Sequence, residues 1–148
     1  MQNVAIVLIP LFVGIITQIT KVIIYTIRHG LNWSYFLTHG HMPSMHSALV
    51  TSLVIIVGYT EGIHTAIFSF SVVFALIILD DALRVRMHLG DQGRYLNMLI
   101  ETLNLNKKKY PRLKERMGHR LSEVIVGITY GAAQTMLFIY LLKTFWVF

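Results

Sequence analysis

Two histidines, a lysine inside an apolar run, a serine beside a proline and a pair of arginines are the residues here whose types and spacing could do chemistry. His119-Arg120-Leu121-Ser122-Glu123 sets an imidazole and a carboxylate four residues apart, on one face of a helix. A carboxylate on one ring nitrogen fixes the tautomer and leaves the other nitrogen as a nucleophile or base. His41-Met42-Pro43-Ser44-Met45-His46-Ser47 reads as a loop turning into a helix. The unpaired N–H groups and positive dipole end of such a helix start favour an anion. Ser44 can add a hydroxyl donor, and His46 can carry a proton near neutral pH. The plainer alternative is an ordinary serine cap beside an interfacial histidine.

Lys21 lies two helical turns before Arg28 on the same face, roughly 10 Å deeper by the helical rise. A lysine at that depth in a bilayer costs ~2.5–3.5 kcal/mol unless it is paired or faces a polar cavity. Thr17, Gln18 and Thr20 give this end of the run a polar stripe, which favours a cationic ligand for an anion over a lysine snorkelling to the headgroups. In Asp80-Asp81-Ala82-Leu83-Arg84-Val85-Arg86, Arg84 can pair with Asp80 or Asp81 along a helix, while Arg86 points some 200° away from Arg84. Unless the helix breaks, the two arginines do not serve one ligand, and one of them is structural. His39, His41, His46 and His119 could form a metal site, since imidazole suits zinc. The scarcity of carboxylates and the surrounding Lys and Arg argue against it, so no metal is expected. The basic run from Lys107 to Arg116 reads as a loop on anionic headgroups and lacks the interleaved aromatics of a nucleic-acid surface, so no nucleic acid is expected.

These residues need a scaffold, and composition says which kind. Of 148 residues, 55% are hydrophobic and 14% charged. Soluble domains carry about 25% charged residues, so the chain reads as an all-α polytopic membrane bundle, a single domain over residues 1–148. The absence of cysteine excludes disulfides and thiolate chemistry. Met1-Gln2-Asn3 has no basic n-region, so the first apolar run is expected to be a retained helix. About four spans are expected: Val4 to Ile27; a short one opened by Pro43 and running to Tyr59; Ile63 to Leu79 after a tight turn at Glu61-Gly62; and Leu121 to Phe148, with Trp146 as an interfacial anchor. Ala82 to Lys109 has an amphipathic start and either lies along the surface or extends the third helix.

Four spans force a topology that brings the end of the first, the start of the second, the end of the third and the start of the fourth to one membrane face. Those are the places where Lys21, Ser44, His46, Arg86, His119 and Glu123 occur. Ten of the thirteen Lys and Arg residues lie between Arg84 and Arg120, which places this face in the cytoplasm by the positive-inside rule.

Met42-Pro43-Ser44-Met45-His46-Ser47-Ala48, Asp81 to Arg86, Gly90-Asp91-Gln92 and Gly118 to Val124 together resemble, in the same order, the short, divergent bacterial branch of the type 2 phosphatidic acid phosphatase superfamily, which also includes vanadium haloperoxidases. The resemblance implies His119 as nucleophile, Glu123 as the residue orienting it and His46 as donor to the leaving group. It implies Ser44, the Met45 backbone, Lys21 and Arg86 as phosphate ligands, with Arg28, Arg84, Asp81 and Gln92 as further candidates. Met45 stands where the superfamily prefers glycine or serine, His41 and Arg84 where the branch has glycine, and Glu123 where the wider superfamily has aspartate.

The implied activity is metal-independent hydrolysis of a membrane lipid phosphate through a phosphohistidine, with no cofactor. The substrate would be phosphatidic acid, phosphatidylglycerophosphate or a polyprenyl phosphate or pyrophosphate. The alternative is a catalytically weak or inactive lipid-phosphate-binding protein of the same fold. The expected location is the inner (cytoplasmic) membrane. Four spans are few for this superfamily, so a homodimer is expected to bury the exposed flank.

Overall fold

The computed structural model describes residues 2–30, 42–115 and 117–145. His39, His41, Arg116, Trp146 and the side chain of Arg28 lie outside that description. Among the described residues the regular elements are all helical: α1 (Gln2–His29), α2 (Met45–Thr60), α3 (Ala66–Asp80), a π turn (Asp81–Val85), α4 (Arg86–Thr102) and α5 (Leu121–Phe145). Among the described residues three stretches are long and apolar enough to cross a membrane, Ile6–Ile27, Ala66–Thr102 and Leu121–Thr144. The second of these is α3, the π turn and α4 in one uninterrupted run, so the amphipathic segment extends the third span.

The short helix is the central one. At 16 residues α2 measures about 24 Å, less than the ~30 Å hydrocarbon core. It packs against α1, α3 and α5, and Ser47, Ala48, Val50, Ser52, Ile56 and Val57 are buried around its circumference. Its start is set by Ser44, whose side chain accepts from the Ser47 N–H. Pro43, expected to open the helix, therefore lies just outside it, because the cap takes the boundary position. Thr65 caps α3 in the same way, and Gly62, at a φ of 88°, makes the turn between α2 and α3. The outside is apolar, as lipid requires: Ile67, Phe70, Val73, Phe74, Leu76 and Ile77 of α3 are all exposed.

Helices in lipid gain little from hydrophobicity against one another and instead associate through close backbone packing at small residues. The α2–α5 contact is built this way. A Cβ on Gly127 would fall 2.5 Å from the Ser44 carbonyl oxygen, and one on Gly131 would fall 2.6 Å from the Ala48 Cα. One turn further, Ser52 and Thr135 are both fully buried. The two helices thus run in parallel from the same end, small residue against small residue.

Replacing Gly131 with alanine drives a methyl into the α2 backbone. Gly131→Ala is expected to destabilise the protein by about 1–3 kcal/mol, the range for overpacking, and so to lower its melting temperature in detergent. Ala133→Leu, at an exposed position of the same helix, is expected to melt like the native chain. Equal melting of Gly131→Ala and native protein would contradict the close approach.

Candidate functional site

The site is assembled by three backbone joints. Ser44 N–H donates to the Glu123 carbonyl at 3.2 Å, tying the start of α2 to the first turn of α5. His119 N–H donates to the Ala82 carbonyl at 3.1 Å, tying the residues before α5 to the π turn. Gly118 lies so close to Met87 that a Cβ there would meet its backbone nitrogen at 2.9 Å. A π turn widens the helix by one residue and often marks a functional position. Here it offers a carbonyl sideways to His119 and lets Arg86 reach back five residues, its Nε donating to Asp81 Oδ2 at 2.8 Å.

These joints bring His46 and His119 edge to face, their ring centroids 6.2 Å apart and their planes at 74°. His119, Glu123 and Lys21 are each about 95% buried. Lys21 and Glu123 are close enough for their charges to attract, and the His119 ring lies in the fields of Glu123, Lys21, His46 and Arg86. Burial pushes the His119 imidazole down to about 4. The Glu123 carboxylate opposes this, and Lys21, His46 and Arg86 add to it. The ring is therefore neutral near pH 7. Its Nδ1 is buried without a hydrogen-bond partner among the described residues. Ser44 is fully buried, its Oγ accepting from both the Ser47 N–H and the Ser47 hydroxyl at 2.9 Å, which leaves the Ser44 hydroxyl proton to donate. The Met45 N–H opens α2, where a helix has no internal acceptor for it.

Two details differ from the sequence reading. His119 precedes α5, which begins at Leu121, so His119 and Glu123 do not share a helix face. Glu123 Oε2 instead accepts the Arg120 N–H at 3.0 Å, capping the helix, and acts on His119 through its charge. Arg84 is 73% exposed and paired with Asp80, apart from the charges gathered around His119; Gln92 is likewise exposed on α4. Arg86, only 23% exposed, is the arginine that faces inward. The Thr20–Tyr130 hydroxyl contact at 2.9 Å, which links α1 to α5 beside Lys21, escaped the sequence reading. So did Gly127 and Gly131, although glycines four apart in an apolar span are a packing signal. Among the described residues no group of three or more His, Cys, Asp or Glu is placed to hold a metal ion.

The profile of the divergent PAP2 family matches residues 1–134. The chain belongs to that family. It is also 34% identical over 139 residues to YuiD, an uncharacterized membrane protein of Bacillus subtilis, with 85% of this chain and 88% of that one aligned. No solved structure matches. The family's span takes in all the residues gathered above, from Lys21 to Glu123.

The His119 ring is expected to titrate near pH 4 in the folded protein, read from its imidazole resonances by NMR. The unfolded chain, with an ordinary value of 6.5, binds this proton first as the pH falls, so stability declines between about pH 6.5 and 4. Titration near 6.5 in the folded state would contradict a desolvated ring.

Proposed function

We propose that this protein is a metal-independent lipid phosphatase of the inner membrane, acting on a lipid phosphomonoester or pyrophosphate at the cytoplasmic face. The observation that carries the reading is the pair of imidazoles, one of them buried and neutral, set among Lys21, Arg86 and the start of α2. Phosphoryl transfer needs positioning and charge neutralisation above all. Lys21, Arg86, the Ser44 hydroxyl and the Met45 N–H hold the phosphate oxygens, placing positive charge where the transition state gathers negative charge. His119 attacks the terminal phosphorus through a ring nitrogen, and the bond from that phosphorus to the leaving oxygen breaks. His46 gives its proton to that oxygen as the lipid alcohol departs from a monoester, or the lipid monophosphate from a pyrophosphate. A water deprotonated by His46 then attacks the phosphohistidine, releasing phosphate and restoring both rings. Glu123 stabilises the positive charge that His119 carries in between.

A membrane-depth site suits a substrate whose tail stays in the bilayer, such as phosphatidic acid, phosphatidylglycerophosphate or a polyprenyl phosphate. The concentration of Lys and Arg between Arg84 and Arg120 supports the cytoplasmic orientation and contact with anionic headgroups. A second reading keeps lipid-phosphate binding and drops turnover. Met45 and the hold of Asp81 on Arg86 favour it.

Purified protein is expected to release phosphate from lipid phosphates with chelator present. His119→Asn abolishes release and His46→Asn slows it by about 10²–10⁴-fold, the usual worth of a positioned general acid. Arg86→Gln weakens turnover, whereas Arg84→Gln leaves it near native. Lipid-phosphate binding without release in the native protein would select the second reading, and unchanged release by His119→Asn would rule out the mechanism.

A further inference from the structure

We infer that two copies of this chain pair side by side in the membrane through the outer edge of α4 and the end of the π turn. The 37-residue run from Ala66 to Thr102 is about 55 Å long, against a hydrocarbon core of ~30 Å. Because α4 continues α3 without interruption, it leaves the membrane in the direction of the span. Its 17 residues carry it about 25 Å beyond Arg86. The inner side of α4 is already covered. The chain returning towards His119 lies against Gly90 and Gly93, where a Cβ would meet the Glu115 and Lys114 carbonyl oxygens at 2.6 and 2.7 Å. Asn97 binds that returning chain at Leu113 and Glu115. Arg112 also pairs with Glu115, holding its carboxyl below the ordinary range.

A third of a turn away runs an apolar stripe that none of the other described residues covers. Val85, Leu89, Leu96, Leu99 and Leu103 are 46–58% exposed. Steps of 100° per residue put all five within an arc of about 80°. Their spacing is heptad, 89, 96 and 103 on one row and 85, 92 and 99 on the other, the pattern of a two-stranded coiled-coil seam. A stripe on a helix leaving the bilayer faces water rather than lipid tails, so it calls for protein.

A second copy of the chain fits this stripe. Chains in one membrane share an orientation, so their two-fold axis stands along the membrane normal and the α4 helices run parallel, each leucine meeting its own equivalent. Asp91, Arg94 and Glu101 lie on the far side of the helix, so these charges do not oppose one another across the seam. The five side chains offer roughly 400 Å² per copy, about half of what a standard stable interface takes from each partner. The exposed face of α3, continuous with this helix, supplies the remainder inside the bilayer. Gln92, exposed in the middle of the stripe, gains a role here: one polar seam position sets register at some cost in stability. The pairing does not depend on the phosphatase reading.

The chain has no cysteine, so single cysteines in the full-length protein report cleanly. In native membranes, Leu89→Cys, Gln92→Cys, Leu96→Cys and Leu99→Cys are expected to form disulfide-linked dimers on oxidation, while Arg94→Cys and Met98→Cys are not. The double variant Leu96→Glu/Leu99→Glu is expected to be monomeric in lipid nanodiscs with an unchanged helical circular-dichroism signal. Cross-linking of equal strength on every face overturns the proposal. So does a native chain that is monomeric in nanodiscs and fails to cross-link, the result expected if lipid or a different protein covers the stripe. Should the glutamate variant fail to fold, the periodicity of cross-linking still decides.

Discussion

The site depends on α2 and α5 touching backbone to backbone. Gly127 against Ser44 and Gly131 against Ala48 leave no room for a side chain, and this closeness fixes both the separation and the relative height of the two helices. Both begin at the same end, so His46 in the first turn of α2 and His119 just before α5 arrive together. A wider contact would part the imidazoles and break the Ser44-to-Glu123 hydrogen bond that sets the start of α2 beside α5. In a bilayer, where the hydrophobic effect does not draw helices together, small residues are what makes such an approach stable.

The π turn is the second fixed point. A regular helix through Asp81–Val85 would direct its carbonyls along its own axis. The widened turn lets Ala82 receive the His119 N–H and lets Asp81 and Arg86 meet at a spacing of five. The carboxylate holds the guanidinium in position beside the histidines, and it also tempers the positive charge available to an anion. Lys21 and Glu123 stand in a similar relation, a buried cation and a buried anion that attract. Buried charges without such partners are costly. The outcome is a set of balanced charges, Lys21 with Glu123 and Arg86 with Asp81, around one neutral imidazole.

Much of this was legible in the residues themselves. Helix count and the four short motifs sufficed to place Lys21, His46, Arg86 and His119 on one face, because apolar runs of spanning length leave few topologies. The pairing of Arg84 with Asp80 follows from helical spacing and is present, whereas the hold of Asp81 on Arg86 depends on the π turn and was not legible. Less legible were features set by tertiary contact. The His119–Glu123 spacing suggested a shared helix face, but the bond from His119 to Ala82 keeps His119 outside α5. Pro43 suggested a helix start, but the Ser44 cap claims it. The continuity of α3 with α4 could not be told from a surface helix by composition, since an amphipathic pattern serves both.

The proposed reaction requires a ring nitrogen of His119 to receive the phosphoryl group. Rapid acid-free quenching of the native protein mixed with a lipid phosphate in chelator, followed by peptide mass spectrometry, tests it most directly. The expected result is a transient, acid-labile phosphate on the peptide bearing His119, at a level that rises and falls with turnover. Turnover at full rate with that peptide never modified, or turnover that ceases in chelator and returns with a divalent metal, would contradict it.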